Sequence, residues 1–362
     1  MLYRALLRPI LFSFDPESVH HLAVGSLRLA SALPPVRGLL GAALDVRAPE
    51  LEQEIWGLRF PHPVGLAAGF DKNAVAVPAL MRMGFAFVEV GAVSSVPRPG
   101  NPRPRIFRLP GDRGLINRMG LPNDGVEAIA ARLARGGPRP RPLFANIVKT
   151  ADLEGSISDM AADFVTTLER ILPVVDGFTV NVSCPASPNL KAFGRREAMF
   201  ELLGRLREAR DRGVAAGDGR FRPLILKVSP DVDDEESAAI VEAAGKGELD
   251  GLVLTNTTTQ RPAGLAAPAE VLGERGGLSG APLHAIALAR VREFAAATEG
   301  RVPIIGVGGI SGVDQSLAML EAGASLVEVY TGFVYEGPSL PKRIARGLRD
   351  RGWRPTERSR TV

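Results

Sequence analysis

The one cysteine of this 362-residue chain, Cys184, stands in Asn181-Val-Ser-Cys-Pro185, just past a short apolar run and in front of a proline. A lone thiol is most often an inert small hydrophobe. Between Ser183 and Pro185, in a loop and not in a core run, a thiolate could instead act as a base toward a substrate carbon. Other polar residues close similar runs: Lys72 after AAGFD, Asn146, Asn181, Lys227, Thr255-Asn256-Thr257, Gly308-Gly309 and Tyr330-Thr331. Together they are amides, hydroxyls and two lysines, with almost no carboxylate and no histidine. Glycosidases need paired acids and metallohydrolases need His/Asp clusters, so both are poorly supported. A single cysteine and four histidines (His20, His21, His62, His284), without H-x-H or H-E-x-x-H spacing, give no expected metal site and no disulfide framework.

A ring of amides suits a ligand with alternating carbonyl and N–H groups, such as a flavin or a pyrimidine. Lys227, inside the apolar PLILKVSPD, must find a partner or shift its pKa. Beside a flavin's N1–C2=O edge it would stabilise the reduced anion; a Schiff-base lysine or a simple salt bridge are the alternatives. The glycine-rich GVGGISG (306–312) and YTGF (330–333) offer backbone N–H groups for a phosphate, helped by the helices that follow.

These residues need a frame. From residue 60 eight short apolar runs recur: 64–69, 85–93, 143–148, 178–183, 224–229, 251–257, 302–309 and 326–332. Helical patterns fit between them, for example over 159–172, 196–213 and 283–297. Eight partly β-branched strands alternating with helices predict an α/β fold, a closed (β/α)8 TIM barrel with its site at the strands' C-terminal ends. An open doubly wound sheet would want an early G-x-G-x-x-G, and none is present. The connection from the second to the third run is about 50 residues long; insertions of that size commonly build lids or substrate walls.

Composition agrees with a globular enzyme: 45% hydrophobic and 23% charged residues, with net charge +4 and pI near 9.5. The arginines are scattered, with few aromatics between them, so nucleic acid is not an expected partner. At the N-terminus, Arg4, Arg8, Asp15 and Glu17 interrupt any bilayer-spanning run and argue against a signal or transit peptide. Asp15-Pro16 predicts a helix start. On that helix Val19, Leu22, Ala23, Leu27, Leu29, Ala30 and Leu33 form the expected apolar side. Glu17, His20, His21, Gly25, Arg28 and Ser31 form the polar one. The helix either packs on the main domain or lies on a membrane surface. The expected division is a helical segment over 1–45 and a barrel over 46–362.

Nearly the whole chain resembles the dihydroorotate dehydrogenases, FMN-dependent β/α barrels. The matching motifs are AAGFDKN (67–73), VEVGAVSSVPRPGNPRPRIFRLP (88–110), INRMG (116–120), NVSCP (181–185), LKVSPD (226–231), LTNTT (254–258), GGLSGAPL (276–283), IIGVGGI (304–310) and VYTGF (329–333). The N-terminal extension with PESVHH resembles the membrane-associated, quinone-dependent class 2 enzymes. The resemblance implies FMN held by Ala68, Gly69, Phe70, Asp71, Lys72, Ala92, Asn146, Asn181, Lys227, Thr255, Gly280, Gly309, Tyr330 and Thr331. It implies dihydroorotate held by Lys72, Asn117, Arg118, Met119, Gly120, Leu121, Asn181, Asn256 and Thr257. Cys184 stands where the family's base removes the C5 proton as hydride leaves C6 for the flavin. His20, Arg108 and Tyr330 match positions near the channel for ubiquinone or menaquinone, which implies peripheral attachment to the cytoplasmic face of the cell membrane.

Two residues depart from the pattern. Class 2 enzymes carry serine where Cys184 stands, cysteine being the class 1 choice, and the family's substrate-binding asparagine is replaced by Ala186. Losing one polar contact to a buried ligand costs about 1–3 kcal/mol. Ala186 therefore keeps a second reading open: a related flavoenzyme acting on another dihydropyrimidine-like or amide substrate. A flavin-binding membrane-surface protein without turnover is a third.

Overall fold

The computed structural model describes residues 3–150, 153, 155–182 and 193–356. Its centre is a closed parallel barrel of eight strands: β1 (Val64–Leu66), β2 (Val88–Val93), β3 (Leu143–Ile147), β4 (Gly177–Asn181), β5 (Leu224–Val228), β6 (Gly251–Leu254), β7 (Ile304–Val307) and β8 (Leu326–Val329). Each strand pairs with the next, and β8 closes on β1 through Glu328↔Gly65. All eight predicted runs are barrel strands. Such strands are buried on both faces, which is why they read as unbroken apolar runs. The three quoted helical patterns are helices over Ile157–Ile171, Arg196–Ala216 and His284–Ala297.

The barrel's lower interior is a dry aromatic plug. Phe60 meets Phe87 edge-on at 5.6 Å and stacks on Phe144 at 6.5 Å, with Trp56 against Phe144 at 6.2 Å. Two strand glycines make room for it: a Cβ on Gly65 would sit 2.3 Å from Phe87, and one on Gly177 2.4 Å from Phe144. A short antiparallel hairpin (Gln53–Ile55 with Leu58–Phe60) closes the strands' N-terminal ends, where Trp56 Nε1 donates to the Asp250 carbonyl at 2.8 Å. The functional end is thereby left to the C-terminal side.

Over that side lies a three-stranded antiparallel sheet. Ile106–Leu109 and Gly114–Asn117 form a hairpin within the long β2–β3 connection, and Gly277–Gly280 joins it from the β6–β7 connection. The long β2–β3 connection thus supplies a roof, in keeping with the lid or wall expected from its length. Against it rest α1 (Arg8–Phe12) and α2 (Pro16–Ala32), and α3 (Pro34–Leu44) packs on α2. Asp15 caps α2, accepting from Ser18 N–H at 2.7 Å, with Pro16 in the first turn.

The expected faces of α2 are corrected by the structure. Glu17, placed on the polar side, is 3% exposed and sits beneath the roof between Arg105 and Arg103. His20, placed on the same side, packs edge-on against Phe70 at 5.4 Å. Leu22 and Leu29, placed on the apolar side, are each 63% exposed. A wheel that counts only aliphatic residues misplaces the face, because the roof offers arginines and the cavity an aromatic ring. Leu6, Leu7, Ile10, Phe14, Leu22, Leu29, Leu33 and Leu39 all remain exposed on the extension. Among the described residues no helix is long and apolar enough to cross a membrane.

Candidate active site

A cavity of about 660 Å³ runs from the barrel mouth to the N-terminal helices. Tyr3, Leu11, Val19 and Leu27 line one end, and Ala68, Asn146, Asn181, Lys227, Thr255 and Gly309 the other. Gly69, Phe70, Lys72, Ala92, Gly280, Tyr330, Thr331, Asn117, Arg118, Met119, Gly120, Leu121, Asn256, Thr257, His20 and Arg108 also face it. Two expected site residues are not among the lining. Cys184, with Ala186, lies outside the described residues. Asp71 is buried and turned into its own loop, where it accepts from the N–H groups of Val75 at 2.9 Å and Ala76 at 2.7 Å. It shapes the AAGFDKN loop and does not face the cavity.

On the aromatic plug lies a polar layer. Glu89 accepts from Ala68 N–H at 3.0 Å and from Asn146 Nδ2 at 3.1 Å, and lies 3.7 Å from Lys227 Nζ. Asn181 Nδ2 donates to Asn146 Oδ1 at 3.1 Å, and Asn256 Nδ2 to Asn181 Oδ1 at 3.3 Å. Asn256 Oδ1 in turn accepts from Thr257 N–H at 2.8 Å. Asn146 turns its Nδ2 to Glu89, Asn181 its Nδ2 to Asn146 and Asn256 its Nδ2 to Asn181, so each acceptor orients the next amide. Register does the rest: Gly91 pairs with Asn146, and Asn181 with Lys227, so adjacent strands set these groups side by side.

At the cavity's middle, Lys72 Nζ donates to the Gly69 carbonyl at 2.7 Å, and the Tyr330 hydroxyl donates to the same oxygen at 3.2 Å. Burial lowers the Lys72 pKa to about 8, Glu17 opposing and Arg105 adding to the shift. Burial, with Lys72 and His21 nearby, lowers that of His20 to about 3, so this ring is neutral. Burial pushes the Tyr330 phenol up to about 12.

The surrounding loops are strapped down. Asn101 N–H donates to the Met119 carbonyl at 2.9 Å, and Asn123 Nδ2 to the Leu121 carbonyl at 3.0 Å, fixing the 117–121 loop. Asp231, from LKVSPD, accepts from Thr258 Oγ1 at 2.5 Å and from Thr259 N–H at 2.7 Å, behind Asn256 and Thr257. The two glycine-rich loops touch: a Cβ on Gly332 would stand 1.9 Å from the Ile310 carbonyl oxygen. Gly309, at φ +66°, packs so tightly that a Cβ would meet His284 Cβ at 2.6 Å. Toward the extension, Arg108 donates to the carbonyls of Phe12 at 3.2 Å and Phe14 at 2.6 Å and lies over the Phe12 ring.

Sequence reasoning missed Glu89 and Glu328 when it found almost no carboxylates. Both are centred in Val-Glu-Val triplets, on β2 and β8, and both are 1% exposed. The flanking valines pack outward into the main core, so alternation turns the carboxyl into the barrel. A charge in an otherwise apolar strand is the signal that could have found them.

An eight-stranded parallel barrel with a polar cavity at its C-terminal mouth has the architecture of the TIM-barrel enzymes. The family model for dihydroorotate dehydrogenase matches residues 50–351. The chain is 45% identical over 343 residues to the dihydroorotate dehydrogenase (quinone) of Rhodospirillum rubrum, covering 95% of this chain and 89% of that protein. It is 43% identical over 349 residues to the protein of the same name from Streptomyces coelicolor, covering 96% and 94%. The crystal structure of the Eimeria tenella enzyme in complex with ferulenol superposes with a TM-score of 0.83 at 34% identity, over 93% of both chains. The chain belongs to the dihydroorotate dehydrogenase family.

Proposed function

We propose that this chain oxidises (S)-dihydroorotate to orotate in pyrimidine biosynthesis, using FMN at the barrel mouth and a membrane quinone, ubiquinone or menaquinone, as electron acceptor. The observation that carries the reading is the single cavity joining the amide ladder to the N-terminal helices. It offers one end to a planar polar ring and the other to an apolar acceptor.

The residues present fit FMN. The ladder of Asn146 and Asn181, the ammonium of Lys227 and the backbone at Ala68, Gly69 and Ala92 form a donor set suited to a ring edge of carbonyl and N–H groups. Thr255, Gly280, Gly309, Tyr330 and Thr331 would hold the remainder, with the phosphate at the two touching glycine loops. When bound, FMN supplies the two-electron acceptor chemistry between dihydroorotate and quinone.

The chain's own residues do the rest. Lys72, Asn117, Asn181, Asn256 and Thr257 would hold the pyrimidine ring and its carboxylate, with Arg118 to Leu121 as the adjoining wall. Cys184 would take the C5 proton; a thiol ionises more readily than a serine hydroxyl, so the exchange is chemically workable. Lys227 brings positive charge to the mouth, where reduction adds negative charge. His20, Phe70 and α2 exclude water from the reacting region. Residues 1–45 would be the quinone- and membrane-facing element on a peripherally attached enzyme, and residues 46–362 the catalytic barrel.

The test is turnover: the purified chain, carrying FMN, forms orotate from dihydroorotate with a soluble quinone. Cys184→Ala keeps the FMN and loses about 10²- to 10⁴-fold in rate, the usual size of a lost general base. A flavin-loaded chain that forms no orotate would contradict the reading. Ala186 supports a second one within the same chemistry, a different dihydropyrimidine-like or amide substrate. Faster bleaching of the flavin by such a compound than by dihydroorotate would favour it.

A further inference from the structure

The polar layer beneath the mouth contains two carboxyls and one ammonium. Glu89 is supplied with donors: Ala68 N–H at 3.0 Å, Asn146 Nδ2 at 3.1 Å, and Lys227 Nζ 3.7 Å away. Glu328 enters the same layer from β8, is 1% exposed and lines the cavity, and among the described residues no donor reaches its Oε2. Among the described residues the flanking strands bring no charge to it at this level: it pairs with Gly65 of β1 and Val307 of β7. Just past the end of β8 stands Tyr330, whose hydroxyl donates to the Gly69 carbonyl. Lys72 is tied to that same carbonyl. The charged groups that bear on Glu328 are therefore Glu89 and Lys227. A buried carboxylate oxygen with no donor is expensive, and a carboxyl so placed keeps its proton instead.

We propose that Glu328 is a neutral carboxylic acid and acts as a positioning residue, making the charge balance beneath the bound cofactor depend on its proton. The proposal rests on reading the mouth as an FMN site. With Glu328 neutral, the layer's remaining charged groups are the Glu89–Lys227 ion pair. Negative charge gained by the group above it tightens the hold of Glu328 on its proton, and an ionised Glu328 would oppose that gain. Burial, and next the negative charge of Glu89, push the Glu328 carboxyl well above the usual carboxylate range, with Lys227 opposing.

Two measurements on the full chain test this, with Glu328→Gln as the neutral mimic. Infrared spectra at pH 7 should contain a protonated-carboxyl C=O band that shifts in D₂O and is missing from the variant. The midpoint potential of the flavin-loaded variant should lie within a tenfold change in equilibrium constant of the parent's at pH 7, about 30 mV for a two-electron couple. At alkaline pH the parent's potential should fall below the variant's as Glu328 ionises. A spectrum with no D₂O-sensitive carboxyl band would overturn the proposal, and this reading needs only the parent chain if the variant does not fold. A potential raised more than tenfold-equivalent by the variant at pH 7 would overturn it too, because a negative charge would then have been removed. The infrared band can be read on chain lacking flavin. Band present and flavin absent would uphold the acid and sink the FMN reading, so the two failures are distinguishable.

Discussion

Glu17 on α2 and Arg105 in the roof form a buried ion pair, with Arg105 Nη2 2.7 Å from Glu17 Oε1 and Arg105 Nε 3.1 Å from Glu17 Oε2. Arg105 also donates to the carbonyls of Pro99 at 2.9 Å, Asn101 at 2.8 Å and Met119 at 3.4 Å. One guanidinium thus ties the N-terminal helix to the loop proposed to wall the substrate. Arg105 is thus a direct link between Glu17 on α2 and the Met119 carbonyl.

Removing one member of such a pair strands the other. Glu17→Ala should cost about 3 kcal/mol in unfolding free energy, at the lower end for a broken buried pair because Arg105 keeps its carbonyl partners. Burial raises the Glu17 pKa, but hydrogen bonding and charge from Arg105, then Arg103, outweigh it and leave the carboxyl below its ordinary value. Its stabilising contribution is therefore present above the unfolded-state pKa and lost as pH falls through the folded one. Urea unfolding of parent and variant at neutral and acid pH checks this: the gap between them should shrink in acid.

His20 should stay neutral throughout the physiological range. With a folded-state pKa of about 3 against an ordinary 6.5, protonation favours the unfolded chain, so stability is full above pH 6.5 and declines as pH falls toward 3. The ring's proton resonances, assigned by His20→Gln, should not titrate between pH 5 and 8. A midpoint within that window would mean that the ring is wetter than its packing against Phe70 implies.

Lys227 supplies the one ammonium of the polar layer. Lys227→Met should cost about 3–5 kcal/mol by leaving Glu89 without its cationic partner. Pairing it with Glu89→Gln should restore a substantial part. Thermal unfolding of the four chains forms the double-mutant cycle, and additive losses would show that the 3.7 Å approach carries no coupling.

The leucines that α2 and α3 leave exposed should bind lipid if the extension is the membrane-facing element. Each of Leu22→Glu, Leu29→Glu and Leu39→Glu should weaken sedimentation with phospholipid vesicles by about tenfold, the scale of one leucine withdrawn from lipid. Unchanged partitioning of the triple variant would place the contact surface elsewhere.

What could be read in the sequence divides along physical lines. The eight strands were legible because a parallel strand buried on both faces announces itself as an apolar run, and Asn146, Asn181 and Lys227 because polar residues stand out where such runs end. Glu89 and Glu328 escape notice within the same runs, where valines on either side hide the inward charge. Glu17 and His20 fall on the solvent side of the helical wheel because helix periodicity sorts side chains by polarity. The surface that receives Glu17 and His20 is made of Arg105, Arg103 and Phe70, which lie 50 or more residues from them in sequence. Asp71 has the right motif but points into its own loop, a distinction that resides in two backbone N–H bonds and not in residue type.

The barrel mouth is proposed to join a flavin to dihydroorotate, and an anaerobic titration of the purified, FMN-loaded chain with dihydroorotate tests this most directly. The parent chain should bleach stoichiometrically and recover on adding quinone, while Ala186→Asn, which restores one polar contact, should bleach at about 5- to 150-fold lower dihydroorotate. A protein that holds its flavin yet stays yellow at every dihydroorotate concentration, in both forms, would contradict the account.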